Sequence, residues 1–204
     1  AVLEKFYNAF CNIEQDLKYG GGENELIFVN DGSTDASMNI LEVIAQQNKN
    51  VRVISFSRNF GHEAAMIAGI DHAAGDVIIC MDADLQHPLE CIAPIMAKFE
   101  EGYEVISMVR TSNKSAGAIK NFTSRAFYRV INALSDQVKL EENASDFFAI
   151  SSRVADVLRT NYREKTRFLR GYVQSVGFRK TTLEYTAAER AGGASHYTLK
   201  KLMN

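Results

Sequence analysis

Two carboxylates one residue apart, Asp82 and Asp84, close an apolar run that extends from Val77 to Met81, and Gln86 follows at the same interval. Five consecutive apolar residues suit a strand buried on both faces of a parallel sheet, a core into which charge cannot continue. Asp82 is therefore expected where the strand leaves the core. In extended backbone, residues two apart point the same way. On that basis Asp82, Asp84 and Gln86 would present oxygens to one small region. Two carboxylates and an amide oxygen suit a hard divalent cation, Mg2+ or Mn2+, which keeps waters and holds a substrate diphosphate. The plainer reading is a strand end, a solvated turn and a helix opened by Pro88. A second polar cluster, Asn30-Asp31-Gly32-Ser33-Thr34-Asp35, follows the short apolar strand Glu25 to Asn30. Alone, it reads as a turn in which Ser33 or Thr34 caps the next helix.

The elements that must carry these residues alternate. Residues 1–18 form an amphipathic pattern with Val2, Phe6, Phe10, Ile13 and Leu17 on one face, ended by Gly20-Gly21-Gly22. After the strand at 25–30, Met38, Leu41, Ile44 and Ala45 mark a helix. Strand Val51 to Phe56, helix His62 to Ala73, strand Asp76 to Met81, helix Pro88 to Glu101 and strand Tyr103 to Val109 follow. This alternation predicts an α/β domain with a mostly parallel central sheet and helices on both faces. Ligands in such sheets bind beyond the carboxyl ends of strands, where Asp31 and the Asp82/Asp84 pair both fall. The second half is expected to hold a helix over 116–134 bearing Lys120, Arg125 and Arg129. A strand opened by Asp146, a helix Arg153 to Tyr162, a short helix Arg167 to Ser175 and an edge or hairpin strand Val176 to Thr186 come next. Phe147 and Phe148 read as core. His62, His72, His87 and His196 lack a metal-ligand spacing and read as surface or capping residues.

Composition narrows the class. A chain of 204 residues with 46% hydrophobic content suits one domain with a real core, and only 2 prolines argue against disorder. No stretch approaches the roughly 18 apolar residues of a membrane span. The opening residues do not read as a signal peptide. The 3 cysteines, Cys11, Cys80 and Cys91, suit a reduced, cytosolic setting. Charge is lopsided: residues 1–109 carry 6 Lys and Arg against 17 Asp and Glu, and residues 110–204 carry 17 against 8. A basic second half points to an anionic partner such as phosphate or a membrane surface. Nucleic acid is disfavoured because the basic residues do not interleave with a stacking platform.

Taken together, several stretches resemble the family 2 glycosyltransferases of GT-A fold, within them the polyprenyl-phosphate glycosyltransferases. They are Val29 to Asp35, Ser57-Arg58-Asn59-Phe60-Gly61, Asp82 to Gln86, Ser124 to Tyr128, Asp146-Phe147-Phe148, Arg167 to Gly171 and Arg190 to Tyr197. The resemblance covers about residues 25–202 and implies a three-layer α/β/α domain over 1–198. Residues 199–204 would begin an interfacial helix or a linker to membrane segments. Family members open with a further strand, expected here ahead of residue 1. Asn30 replaces a frequent Asp, and His87 stands where many relatives have Asp.

The resemblance also implies roles. Asp31 would contact the uracil of a UDP-sugar, with UDP-glucose the foremost donor. Asp82 would lie near the ribose and the metal, and Asp84 with Gln86 would bind the Mg2+ or Mn2+ that bridges the diphosphate. Asp146 would be the catalytic residue, as base or as acceptor organiser. Arg110, Arg125 and Arg170 would meet a polyprenyl phosphate, with Arg190 and Tyr197 in a loop near it. The expected reaction is an inverting hexosyl transfer at the cytoplasmic membrane face. Homo-oligomerisation stays open. Two other readings stand beside it: transfer to a saccharide acceptor, and a nucleotide-binding module without catalysis.

Overall fold

In the computed structural model, residues 2–16, 23–111, 144–163 and 168–188 are described. The helix expected over 116–134 with Arg125, the loop with Arg190 and Tyr197, and residues 199–204 lie outside them. Helix α1 spans Val2–Asp16, and its apolar stripe buries Phe6 against Phe28 at a ring separation of 6.0 Å. Strand β1 (Leu26–Asn30) pairs in parallel with β2 (Val51–Ser55), from Leu26 opposite Val51 to Asn30 opposite Ser55. Helix α2 (Ser37–Gln47) connects them and buries Leu41 and Ile44. Neither Ser33 nor Thr34 caps this helix. The amide of Ser37 donates to Asp35 Oδ1 (3.0 Å), while Ser33 N–H donates to Asn30 Oδ1 (3.1 Å) and tightens the turn.

Helix α3 (His62–His72) leads to β3 (Val77–Cys80). A 3-10 turn, Leu89–Cys91, runs into α4 (Ile92–Glu100), followed by β4 (Val105–Arg110). Strand β5 (Ala144–Ser151) leads into α5 (Ser152–Asn161), whose first turn is capped by Ser151 Oγ accepting from Val154 N–H at 3.2 Å. Helix α6 (Leu169–Ser175) and strand β6 (Lys180–Tyr185) complete the described chain.

The second sheet has the order β3-β5-β4-β6. Strand β5 is antiparallel to both β3 and β4, and β6 is parallel to β4. Three strands thus run one way and the central β5 runs the other, so the α/β class holds but this sheet is mixed. Strand β6 is an edge strand paired with β4, not the arm of a hairpin.

Alternation along β5 explains the layers, since successive side chains leave opposite faces of a strand. Phe147 and Ala149 join Ile95 of α4, Ile106, Met108 and Tyr185 on one face. Phe148 and Ile150 join residues of α3, α5 and α6 on the other. All four β5 residues are at most 2% exposed, which a strand covered on both faces requires.

Candidate active site

Strand direction decides which side chains meet. Because β5 runs against β3, β4 and β6, its first residues lie at the edge where those three strands end. Asp82 and Asp84 follow β3, Arg110 ends β4, Tyr185 ends β6 and Asp146 is the third residue of β5. Helix α3 adds His62 to the same rim. Its Nδ1 lies 3.7 Å from Asp82 Oδ1, and its Nε2 lies 3.6 Å from Asp146 Oδ2.

The segment after β3 is not extended. It turns, with Leu85 at φ 66, a left-handed conformation uncommon for a branched side chain. The two-residue period expected for Asp82, Asp84 and Gln86 therefore does not operate. Local hydrogen bonds arrange them instead. Gln86 N–H donates to Asp84 Oδ1 at 2.9 Å, and Gln86 C=O accepts from Ala188 N–H at 3.3 Å. Asp82 N–H donates to His87 Nδ1 at 3.0 Å.

His87 is not a surface residue. It is 7% exposed, stacked on Phe147 at 4.9 Å and met edge-on by Tyr185 at 5.7 Å. Burial lowers its pKa, opposed by the carboxylates of Asp82, Asp84 and Asp146. A neutral ring accepting at Nδ1 carries its proton on Nε2, 3.9 Å from Asp82 Oδ2. His87 thus braces the turn that holds Asp82.

Asp146 is engaged from two sides. Arg170 donates to Asp146 Oδ1 through Nε at 3.1 Å and Nη2 at 2.8 Å, and His62 faces the other oxygen. Glu63 accepts the Leu169 N–H at the start of α6, the helix that carries Arg170. Desolvation raises the Glu63 pKa despite that bond; Asp146 adds to the rise, while Arg170 and His62 oppose it.

Asp31 lies one loop away. Its Oδ1 accepts from Phe60 N–H (2.7 Å), its Oδ2 from Gly61 N–H (3.0 Å), and its carbonyl from Asn59 Nδ2 (3.3 Å). Gly32, at φ +66, lies so close to this loop that a Cβ would stand 2.3 Å from the Arg58 carbonyl carbon. Asp31 and Gly32 thereby seat the 57–61 loop, and the next residue is His62. The sequence reading missed His62 and His87. A signal for His62 was present, since it begins a helix at the carboxyl end of a strand, where such sheets bind ligands.

Mg2+ and Mn2+ take one or two carboxylates, waters and substrate phosphates, not a closed protein cage. Asp82, with its side chain 41% exposed, and Asp84 fit that open arrangement. Among the described residues, no three His, Cys, Asp or Glu side chains are grouped to hold an ion by themselves. Arg110 is exposed at the rim and acts electrostatically on Tyr185. Arg125 and Arg190 lie outside the described residues. Among those residues, no helix is long and apolar enough to cross a membrane.

Comparison with known proteins identifies the family. The glycosyltransferase YkcC of Bacillus subtilis (strain 168), itself uncharacterised, is 42% identical over 203 residues, covering 99% of this chain and 61% of its own length. The bactoprenol glucosyl transferase of Shigella phage SfV is 37% identical over 203 residues, covering 100% of this chain and 64% of its own. The chain thus spans a little under two thirds of these curated relatives. The mannosyltransferase PcManGT from Pyrobaculum calidifontis, solved in complex with GDP-Man and Mn2+, superposes with a TM-score of 0.59 at 15% identity. That match covers 94% of this chain and 53% of the other, a likeness that shows the shared GT-A fold. The description "Glycosyl transferase family 2" matches residues 1–159, and the chain belongs to that family.

Proposed function

We propose that this domain transfers a hexose, with inversion and with the help of a divalent ion, from a UDP-sugar to a polyprenyl phosphate at the cytoplasmic face of the membrane. The observation that carries the proposal is the meeting, on one rim, of a half-buried acidic turn (Asp82, Asp84) and an Asp146–Arg170 pair. Likeness to a bactoprenol glucosyl transferase supports the acceptor class and glucose as the sugar.

The acidic turn suits the donor side. Asp82 and Asp84 would hold Mg2+ or Mn2+, whose charge offsets the negative charge developing on the leaving diphosphate. Asp31, whose oxygens keep lone pairs beyond the two amides they accept, would take the uracil N–H. On the other side, an acceptor phosphate has a second pKa of about 6 and is largely dianionic at neutral pH. Its oxygen attacks the anomeric carbon, the bond to the diphosphate breaks, and UDP leaves with the electron pair. No strong base is required, and Asp146 is arranged as an organiser: it orients Arg170, whose guanidinium suits a phosphate. Arg110, Arg125 and Arg190 would add positive charge for the acceptor and the membrane surface.

The test is a donor and acceptor screen with UDP-glucose, GDP-mannose, undecaprenyl phosphate and saccharide acceptors, in Mn2+ or Mg2+. The expected product is a glucosylated polyprenyl phosphate. Asp84→Asn is expected to lower turnover at least about a hundredfold, the scale of lost electrostatic stabilisation at a leaving group. Full turnover by that variant would refute the metal assignment. Transfer only to a sugar hydroxyl would replace the acceptor reading, because a hydroxyl needs a base. Asp146→Asn should then cost about 10²–10⁴-fold. UDP binding without any turnover would favour a non-catalytic module.

A further inference from the structure

We propose that His62 is a positioning residue of this centre: its imidazole spans the gap between Asp82 on the donor side and Asp146 on the acceptor side and sets their relative placement. The inference rests on the transfer reading given above, and it concerns a residue that the sequence placed only as a surface or capping histidine.

Three observations carry it. First, the ring addresses two different carboxylates through its two nitrogens, at 3.7 Å to Asp82 and 3.6 Å to Asp146. Both distances exceed a hydrogen bond by only a few tenths of an ångström. Second, the Nε2 atom is enclosed from solvent and lacks a hydrogen-bond partner among the described residues, although the side chain as a whole is 37% exposed. Buried polar atoms are rarely left so. A small closure of the rim would supply the partner, as catalytic contacts often tighten when substrate binds. Third, the ring's seat is built rather than incidental. Asp31 accepts both amides that precede His62, those of Phe60 and Gly61, while Gly32 packs against the Arg58–Asn59 backbone. On the following side, Glu63 takes the first amide of the helix carrying Arg170.

The charged and titratable groups around the ring are Asp82, Asp146, Glu63, Arg170 and His87. None of them needs to change protonation for the role proposed. The ring supplies a fixed spacer with a polar atom at each end. Holding donor and acceptor groups in mutual register is worth a large rate factor, and a displacement of about 1 Å can cost about a hundredfold. Loss of His62 should therefore affect the transfer step more than the binding of either substrate.

The test compares His62→Phe, which keeps a ring without polar atoms, with His62→Gln and His62→Asn, which keep one polar reach each. With UDP-glucose and undecaprenyl phosphate, His62→Phe is expected to lower kcat about ten- to a hundredfold, with donor KM within about twofold. His62→Gln or His62→Asn should recover several-fold over His62→Phe. Calorimetric UDP binding and the melting temperature should stay near wild type in all three. A second measurement needs no turnover: the side-chain nitrogen resonances of His62, recorded at one pH in the native sequence, Asp82→Asn and Asp146→Asn. Movement of those resonances in both variants supports the bridging placement even if the acceptor proves to be a saccharide. Wild-type kcat in His62→Phe, loss of UDP binding parallel to the loss of turnover, no rescue by Gln or Asn, or resonances unmoved by both Asp variants would each overturn the proposal.

Discussion

Substituting Gly32 by Ala tests how the 57–61 loop, proposed to lie on the donor side, is held. Gly32 has φ +66, a region that costs an L-residue about 1–2 kcal/mol. A Cβ there would stand 2.3 Å from Arg58 C, 2.6 Å from Asn59 N and 2.7 Å from Arg58 Cα. All three are backbone atoms, so no rotamer change can relieve the overlap. Overpacking of this kind costs a further 1–3 kcal/mol or so, giving a total of about 3 kcal/mol. For a domain of this size that is a fall in melting temperature of about 6–12 °C. Gly177 is the internal control: φ is +80, but nothing lies within 4 Å of its would-be Cβ. Gly177→Ala should show the backbone cost alone, about 1 kcal/mol or 2–4 °C. The second readout is UDP affinity. Gly32→Ala pushes the 57–61 loop away from Asp31 and should weaken binding, whereas Gly177→Ala should leave it unchanged. Thermal melts and calorimetry on the two variants decide the matter. Equal losses of stability, or unchanged UDP affinity in Gly32→Ala, would refute the steric account of the interlocked loops.

Two further outcomes follow from shifted acids. Desolvation raises the Glu63 pKa above its ordinary 4.5, so its charged form costs stability above the raised folded value. That cost disappears as pH falls below the unfolded value. Glu63→Gln keeps an oxygen for the Leu169 amide and should stabilise the protein at pH 7–8, with the gain vanishing by about pH 4. Solvent screening limits the gain to below about 1 kcal/mol; melts across pH that show a loss, or a pH-independent gain, would contradict this. The Cys80 thiol is pushed up to about 12 by desolvation, although the residue as a whole keeps some exposure in β3. Native protein treated with iodoacetamide at pH 8 should label at Cys11 well before Cys80, and Cys80 should react only on unfolding. Equal rates in peptide mass spectra would show that the β3 sulfur is not enclosed.

Local pattern was enough for much of this protein. Apolar runs and helical spacing placed α1, β1, β2, α3, β3 and β4 within a residue or two of their observed limits and marked the buried face of α2, because buried faces impose their period on sequence; the helix expected from Pro88 instead opens with a 3-10 turn and becomes α-helical only at Ile92. Asp82, Asp84 and Asp31 drew attention because charge at the end of an apolar strand needs a reason, whereas Asp146, near the start of its strand, drew attention only through the family resemblance. What sequence could not decide was direction and meeting. Whether β5 joins the sheet parallel or antiparallel depends on contacts far apart along the chain. That single choice carries Asp146 to the edge where β3 ends and sets it against Arg170. The turn after Cys80 likewise broke the expected period, since Leu85 adopts a left-handed backbone and His87 folds back to hold Asp82. His87 became a core residue only through Phe147 and Tyr185, and His62 gained two carboxylate neighbours only through the seating of α3. Side-chain chemistry is written residue by residue, but the distances between those groups come from long-range packing, which has no local period to read.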